Sequence, residues 1–210
     1  MYSLAAVGAL DTPNPNSIDS DVTSAAHYAL ARKLAAASCV LLQNKDGILP
    51  LSNRTRIALL GYAGNDGNIF GGSGSGRVVP KKVTSMWDAL QPACATNGQQ
   101  CTYDAGADPQ RAARAAAAAD VAIVVIWATS SEGRDRADLN MNQTDLVGVV
   151  AAVQPNTVVV SVSPGPYLTP WAPAVKASSF FVETIDVGRT SMPRCGCDRG
   201  RGCGWLQLQP

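Results

Sequence analysis

Residues Asp120–Arg136 read DVAIVVIWATSSEGRDR, and this stretch decides the fold. Its first half, Val121 to Trp127, is an almost unbroken apolar run dominated by Val and Ile. An alanine-rich segment precedes it and a polar loop follows. A short β-branched run bounded in this way predicts a strand buried on both faces. The second half turns polar at Thr129 and carries Glu132, Gly133, Arg134, Asp135 and Arg136. Open α/β sheets bind ligands just outside the carboxyl ends of their strands. A carboxylate, a glycine and two arginines therefore stand where such a fold places its chemistry.

Upstream, Asp108-Pro109 opens an alanine-rich helix running to Ala119, with proline in the favoured first turn. Before it, Cys101–Tyr103 predicts a strand followed by Asp104-Ala105-Gly106. Thr84 or Ser85 starts a helix containing Met86, Trp87, Ala89 and Leu90. Arg56–Leu60 predicts a short buried strand ending at Gly61. Downstream, Thr144–Val153 predicts a helix with Leu146, Val149, Val150 and Val153 on one side, and Thr157–Val162 and Ser178–Val182 predict two more strands. Strands alternating with helices imply an α/β fold, a three-layer sandwich around a mostly parallel sheet.

The flanks are less regular. Met1–Ile18 contains Pro13, Asn14, Pro15 and Asn16 and predicts an irregular connector. Ser20 or Asp21 can cap a helix to about Cys39, whose Val22, Ala26, Leu30 and Leu34 define one buried face. The tail is rich in Gly, Arg and Cys and lacks apolar periodicity, which predicts disorder. The expected organisation is thus a connector over 1–19, an α/β domain over 20–187 and an irregular tail over 188–210.

Composition excludes several classes. The 210 residues suit one domain, and 46% hydrophobic residues allow a sizeable core. A formal charge of +1 points to neither nucleic acid nor an anionic membrane surface. No apolar stretch is long enough to span a bilayer, and Met1–Leu10 lacks the basic start of a signal peptide. His27 is the single histidine and has no ligand cluster around it; a helix histidine hydrogen-bonded at an interface is the expectation. Cys195, Cys197 and Cys203 lack the spacing and fourth ligand of a structural zinc site, so no metal is expected. The glycine-rich loop with Gly71, Gly72, Gly74 and Gly76 allows close backbone approach to a ligand. It lacks both G-x-G-x-x-G before a helix and G-K-[ST], which argues against nucleotide, and no cofactor is expected. Cys94 and Cys101 flank a helix-to-strand turn that can bring them within disulfide range; the alternative is two unpaired thiols in a reducing compartment. The sequons at Asn53 and Asn142 are compatible with a secretory route.

The string Ser131-Glu132-Gly133-Arg134-Asp135-Arg136 followed by Asp138-Leu139 resembles the E-G-x-D-R-x-x-L signature in the C-terminal domain of family-three glycoside hydrolases, β-glucosidases and β-xylosidases among them. Val40-Leu41-Leu42-Gln43-Asn44 with Leu49-Pro50-Leu51 resembles the family's entry into that domain, with Gln43 where lysine is usual. The 71–78 loop resembles the G-G-x-S-G-x-V segment bordering the sugar pocket. Met1–Asp11 resembles the last stretch of the family's catalytic barrel, and Trp171–Val175 its short W-x-x-x-V helix. Leu139–Leu146 departs from the usual L-P-G-x-Q-x-x-L by lacking Pro-Gly, and after Val182 the likeness ends.

What the resemblance implies is the second domain of a retaining β-glycosidase acting on a β-linked glucoside or oligosaccharide, secreted, with Glu132 as general acid/base. Gly74, Ser75 and Arg134 would face substrate, while Arg134, Asp135 and Arg136 would chiefly organise the loop through ion pairs. The nucleophilic aspartate would come from an N-terminal barrel that the 210 residues do not contain, so the chain alone is expected to be inactive. Two rivals belong to other classes: a non-catalytic carbohydrate-binding module, and a flavodoxin-like nucleotide or signalling domain.

Overall fold

The apolar run at the centre forms β4 (Val121–Trp127), and every side chain from Val121 to Ile126 is buried. The chain, seen in a computed structural model, is described over residues 1–11, 21, 23–51, 56–66 and 83–182, with the backbone alone for 180–182. Around β4 stand β1 (Val40–Asn44), β2 (Arg56–Leu60), β3 (Gln100–Asp104), β5 (Thr157–Ser163) and β6 (Ala177–Val182). They form one sheet in the order β1-β6-β5-β4-β2-β3. All neighbouring pairs are parallel except β1 with β6, which is antiparallel. The result is the expected α/β sandwich with a mostly parallel sheet.

Strand alternation sends successive side chains to opposite faces and so builds two cores. On one, Ile57, Leu59, Val121, Ile123, Val125 and Val160 pack under Met86, Leu90 and Cys94 of α3 (Met86–Thr96). On the other, Ala58, Leu60, Ala122, Val124 and Ile126 meet α4 (Pro109–Ala117) and α5 (Thr144–Ala151). Fully apolar strands follow from helices covering both faces of the sheet. Helix starts follow their caps. Ser85 and Asp88 form a reciprocal capping box on α3, and Asp108 accepts from Gln110 and Arg111 at the head of α4. At the amino edge Arg56 pairs with Asp120, Nη2 to Oδ1 2.7 Å, tying β2 to β4 away from the carboxyl ends.

β1 is set by a neutral contact. Gln43 donates through Nε2 to the carbonyls of Val175 (2.7 Å) and Ala172 (3.3 Å). The amide at the position where the resemblance leads one to expect lysine thus caps the short 3-10 turn Ala172–Ala174 without a charge.

Five expectations are corrected. The first long helix is α2 (Ala25–Ser38), capped by Ser24, which accepts from His27 N; neither Ser20 nor Asp21 caps it. Its apolar face is not buried: Leu30 is 54% exposed, Leu34 48%, and no residue of α2 is buried. The cores on the two faces of the sheet draw their helical residues from α3, α4 and α5, and none from α2. His27 is exposed on this helix rather than packed at an interface. In α5 the buried residues are Leu146, Val147 and Val150, while Val153 lies beyond the helix end and is 46% exposed. The connector begins with a short helix, α1 (Tyr2–Ala6), so it is not irregular throughout. The glycine-rich loop with Gly74 and Ser75, the Asn53 sequon, the 187/188 boundary and the cysteine-bearing tail lie outside the described residues.

No helix of the described residues is long and apolar enough to cross a membrane. Tyr2, Val7, Leu30, Leu34, Val40 and Leu42 are each at least 46% exposed. Exposed apolar side chains mark interaction sites where they share one surface. The purified chain is expected to enhance the fluorescence of a hydrophobic dye and to self-associate at rising concentration, read by light scattering. A monodisperse monomer that leaves the dye dark would contradict this.

Candidate active site

The sheet reverses direction of growth between β2 and β4. The chain leaves β2 towards α3 on one face, and leaves β4 towards α5 on the other. The carboxyl ends of two strands whose loops diverge in this way are the usual ligand position in an open α/β sheet. β2 and β4 are adjacent and parallel, with Leu60 opposite Val124. The loops starting at Gly61 and Ala128 therefore emerge on one edge. Glu132 belongs to the second loop; Ser75 lies further along the first, outside the described residues.

Glu132 and Gly133 occupy the central positions of a tight turn closed by Arg134 N to Ser131 O at 3.1 Å. Gly133 has φ +76°, a conformation that favours glycine at the third position of such a turn. The turn presents the exposed Glu132 at the tip of its loop. Arg134 and Asp135 are also exposed. Arg136 anchors the loop, but through neutral acceptors rather than the expected ion pairs: Pro166 O and Asn140 O at 3.0 Å, and Ser163 Oγ at 3.3 Å. It thereby ties the Glu132 loop to the end of β5. The neck of the loop closes where Asn142 donates from its backbone (2.7 Å) and its Nδ2 (3.1 Å) to Trp127 O.

Gly61 makes the close approach between the strands possible. Its φ is +108°, and a Cβ there would lie 2.4 Å from Val125 O. The next residue, Tyr62, places its ring 6.1 Å from that of Trp127 across the two loops. Gln143, which the sequence reading did not single out, joins them. Its Oε1 accepts from Tyr62 N at 2.7 Å, and its Nε2 donates to Ala105 O at 2.9 Å. The available signal was the glutamine of the L-P-G-x-Q-x-x-L pattern, which this chain keeps at Gln143 while lacking Pro-Gly. Among the described residues no group of His, Cys, Asp and Glu is arranged to hold a metal ion.

β3 contributes Asp104, whose carboxylate takes Arg111 Nε at 2.5 Å and Gly106 N at 2.8 Å. The Arg111 hydrogen bond is the main cause of its pKa lying below the ordinary carboxylate value, against the opposing pull of partial burial. A folded pKa below the unfolded one adds stability that is complete above the unfolded value, about 3.9, and is lost as pH falls through the folded value. Arg111→Met is therefore expected to lower the melting temperature at neutral pH, with the deficit shrinking as pH drops below about 4. Thermal melts of both proteins across that window check this; a deficit independent of pH would contradict it.

α3 and β3 are joined by the disulfide Cys94–Cys101, with Cα atoms 6.1 Å apart. That separation lies inside the range a disulfide spans.

Residues 39–181 match the sequence model of the "Glycosyl hydrolase family 3 C-terminal domain". The chain belongs to glycosyl hydrolase family 3. Its part in that family is the C-terminal domain. It is 35% identical over 167 residues to thermostable beta-glucosidase B of Acetivibrio thermocellus, covering 72% of this chain and 22% of that protein. It is 34% identical over 183 residues to probable beta-glucosidase L of Aspergillus terreus, covering 75% and 25%. Among solved structures, the beta-D-glucoside glucohydrolase of Trichoderma reesei superposes with a TM-score of 0.73 at 28% identity, covering 83% of this chain and 29% of that one. The chain thus spans about a quarter of the length of the family 3 relatives it matches.

Proposed function

We propose that this domain supplies the acid/base half of a retaining β-glucosidase, with Glu132 as the general acid and base. The observation that carries the reading is the placement of Glu132 on an exposed turn at the carboxyl end of the central strand, on the edge where the loops from β2 and β4 both emerge. In a retaining mechanism one carboxylate attacks the anomeric carbon while a second protonates the departing oxygen and later takes a proton from water. The nucleophile and most contacts to the sugar would come from a barrel domain, and the isolated 210 residues would not turn over. Gly74, Ser75 and Arg134 would contact the β-linked glucoside from the second domain. Arg136 would hold the Glu132 loop in place. The domain would span 20–187, preceded by a connector over 1–19 and followed by a tail over 188–210.

A secreted protein is part of the same proposal. It is supported by the Cys94–Cys101 bridge, since such bonds persist in oxidising compartments, and by the sequons at Asn53 and Asn142.

The test joins the chain to the N-terminal part of the Acetivibrio relative that precedes its matching region. Hydrolysis of an aryl β-glucoside is expected from the fusion and from neither piece alone. The rival reading, a binding module without turnover, predicts an inactive fusion and a chain that by itself is stabilised against heat by glucose or cellobiose. Stabilisation by a nucleotide instead would favour a flavodoxin-like role.

A further inference from the structure

Gln143 sits in the left-handed backbone region, φ +61° and ψ +25°, immediately before α5. Residues other than glycine, Asn and Asp seldom adopt this conformation, and it persists only where surrounding contacts over-determine it. Here the contacts are those of the side chain. Both ends of the amide are used, one on Tyr62 N at the start of the β2 loop and one on Ala105 O at the start of the β3 loop. The backbone of Gln143 follows directly on Asn142, which closes the neck of the Glu132 loop at Trp127. Its carbonyl accepts from Leu146 N at 3.1 Å, within the first turn of α5. One residue thus bridges the loops leaving three parallel strands, across the point where the sheet opens.

Gly106 leaves room for this side chain. Gly106 has φ +70°, and a Cβ there would fall 2.5 Å from Leu146 Cδ2 and 3.1 Å from Gln143 Nε2. The absence of a side chain at Gly106 is what admits the bridge. Tyr62 N needs an acceptor and Ala105 O needs a donor, and a primary amide of this length offers both.

We propose that Gln143 is a positioning residue that fixes the distance between the Glu132 loop and the loop leaving β2, and so sets where the acid/base stands relative to the sugar. The proposal rests on the assignment of Glu132 as acid/base for its catalytic consequence, but not for the coupling itself. Without the clip, the neck at Asn142 keeps its bonds to Trp127, yet the loop leaving β2 is no longer referenced to it. A displacement of about 1 Å between reacting groups can lower a rate by roughly a hundredfold.

Gln143→Gly is the informative variant, because glycine accepts the left-handed backbone while losing both amide contacts. Gln143→Glu is its companion, keeping an acceptor for Tyr62 N but facing Ala105 O with a carboxylate. Hydrogen exchange on the 210-residue chain reads the coupling. In Gln143→Gly, exchange at Tyr62 N is expected to quicken at least about tenfold, with that at Arg134 N rising too, while the amides of β4 and β5 keep their protection. Unchanged exchange at Arg134 N would overturn the coupling between the loops.

The barrel fusion reads the consequence. kcat/KM for a glucoside with a poor leaving group is expected to fall by about ten- to a hundredfold, and that for a good leaving group by much less, with the melting temperature nearly unchanged. Equal falls on both substrates, or a fall that tracks melting temperature in both variants, would show a merely structural residue. If Glu132→Gln leaves the same ratio untouched while exchange at Tyr62 and Arg134 quickens in Gln143→Gly, it is the acid assignment that fails and the clip that stands.

Discussion

Replacing Glu132 by Gln in the barrel fusion is expected to lower kcat/KM for an aryl β-glucoside with a poor leaving group by about 10²–10⁴-fold. The reasoning is chemical. A leaving oxygen of high basicity must receive a proton as the glycosidic bond breaks, and the amide cannot give one. A substrate whose leaving group is stable as an anion needs no such proton, so formation of its glycosyl-enzyme proceeds. Its overall rate then falls less, limited by the water attack that also requires Glu132 as base. Steady-state kinetics on a series of leaving groups should show the slope of log kcat/KM against leaving-group pKa steepen in the variant. Parallel lines would mean that Glu132 shapes the loop and does no proton transfer. Arg134→Ala in the same fusion provides a comparison, since an exposed contact to substrate would raise KM without changing that slope.

The second large effect concerns stability. Gly61→Ala is expected to lower it by roughly 2–5 kcal/mol, combining a strained positive φ with overpacking. The added Cβ would stand 2.4 Å from a backbone oxygen of β4, so the strands would have to part. A domain of ordinary stability, about 5–15 kcal/mol, would keep little in reserve. Gly148→Ala is the matched control: nothing lies within 4 Å of its Cβ, and in the interior of α5 alanine is favoured by about 1 kcal/mol. Denaturant melts should therefore move in opposite directions for the two variants. A Gly61→Ala protein as stable as the parent would contradict the close packing of β2 on β4.

Much of the fold was legible because burial on both faces leaves a clear mark. Arg56–Leu60, Val121–Trp127 and Thr157–Ser163 are strands where the sequence is rich in aliphatic residues, and Asp108-Pro109 announces α4 through its cap. The apolar stripe on α2 misled, since periodicity reports that a face is greasy and not that this chain covers it. Leu30 and Leu34 face outward here. The position of Glu132 could be read because it follows an unmistakable strand. The grip of Arg136 on Ser163 and Pro166 could not, because it depends on where β5 ends relative to β4. Gln143 was hidden for the same reason. Its partners Tyr62 and Ala105 lie far away in sequence and meet it only once three parallel strands are in register.

If Glu132 serves as both acid and base in a retaining reaction, azide should rescue its loss. In Glu132→Ala fused to the barrel, a glucoside with a good leaving group should form the glycosyl-enzyme and then stall for want of a base. Azide needs no deprotonation: it attacks the anomeric carbon, forms the C–N bond and expels the enzyme's carboxylate. Added azide is expected to restore turnover and to give the β-glucosyl azide, with retained configuration. No acceleration by azide, or a product of inverted configuration, would contradict it.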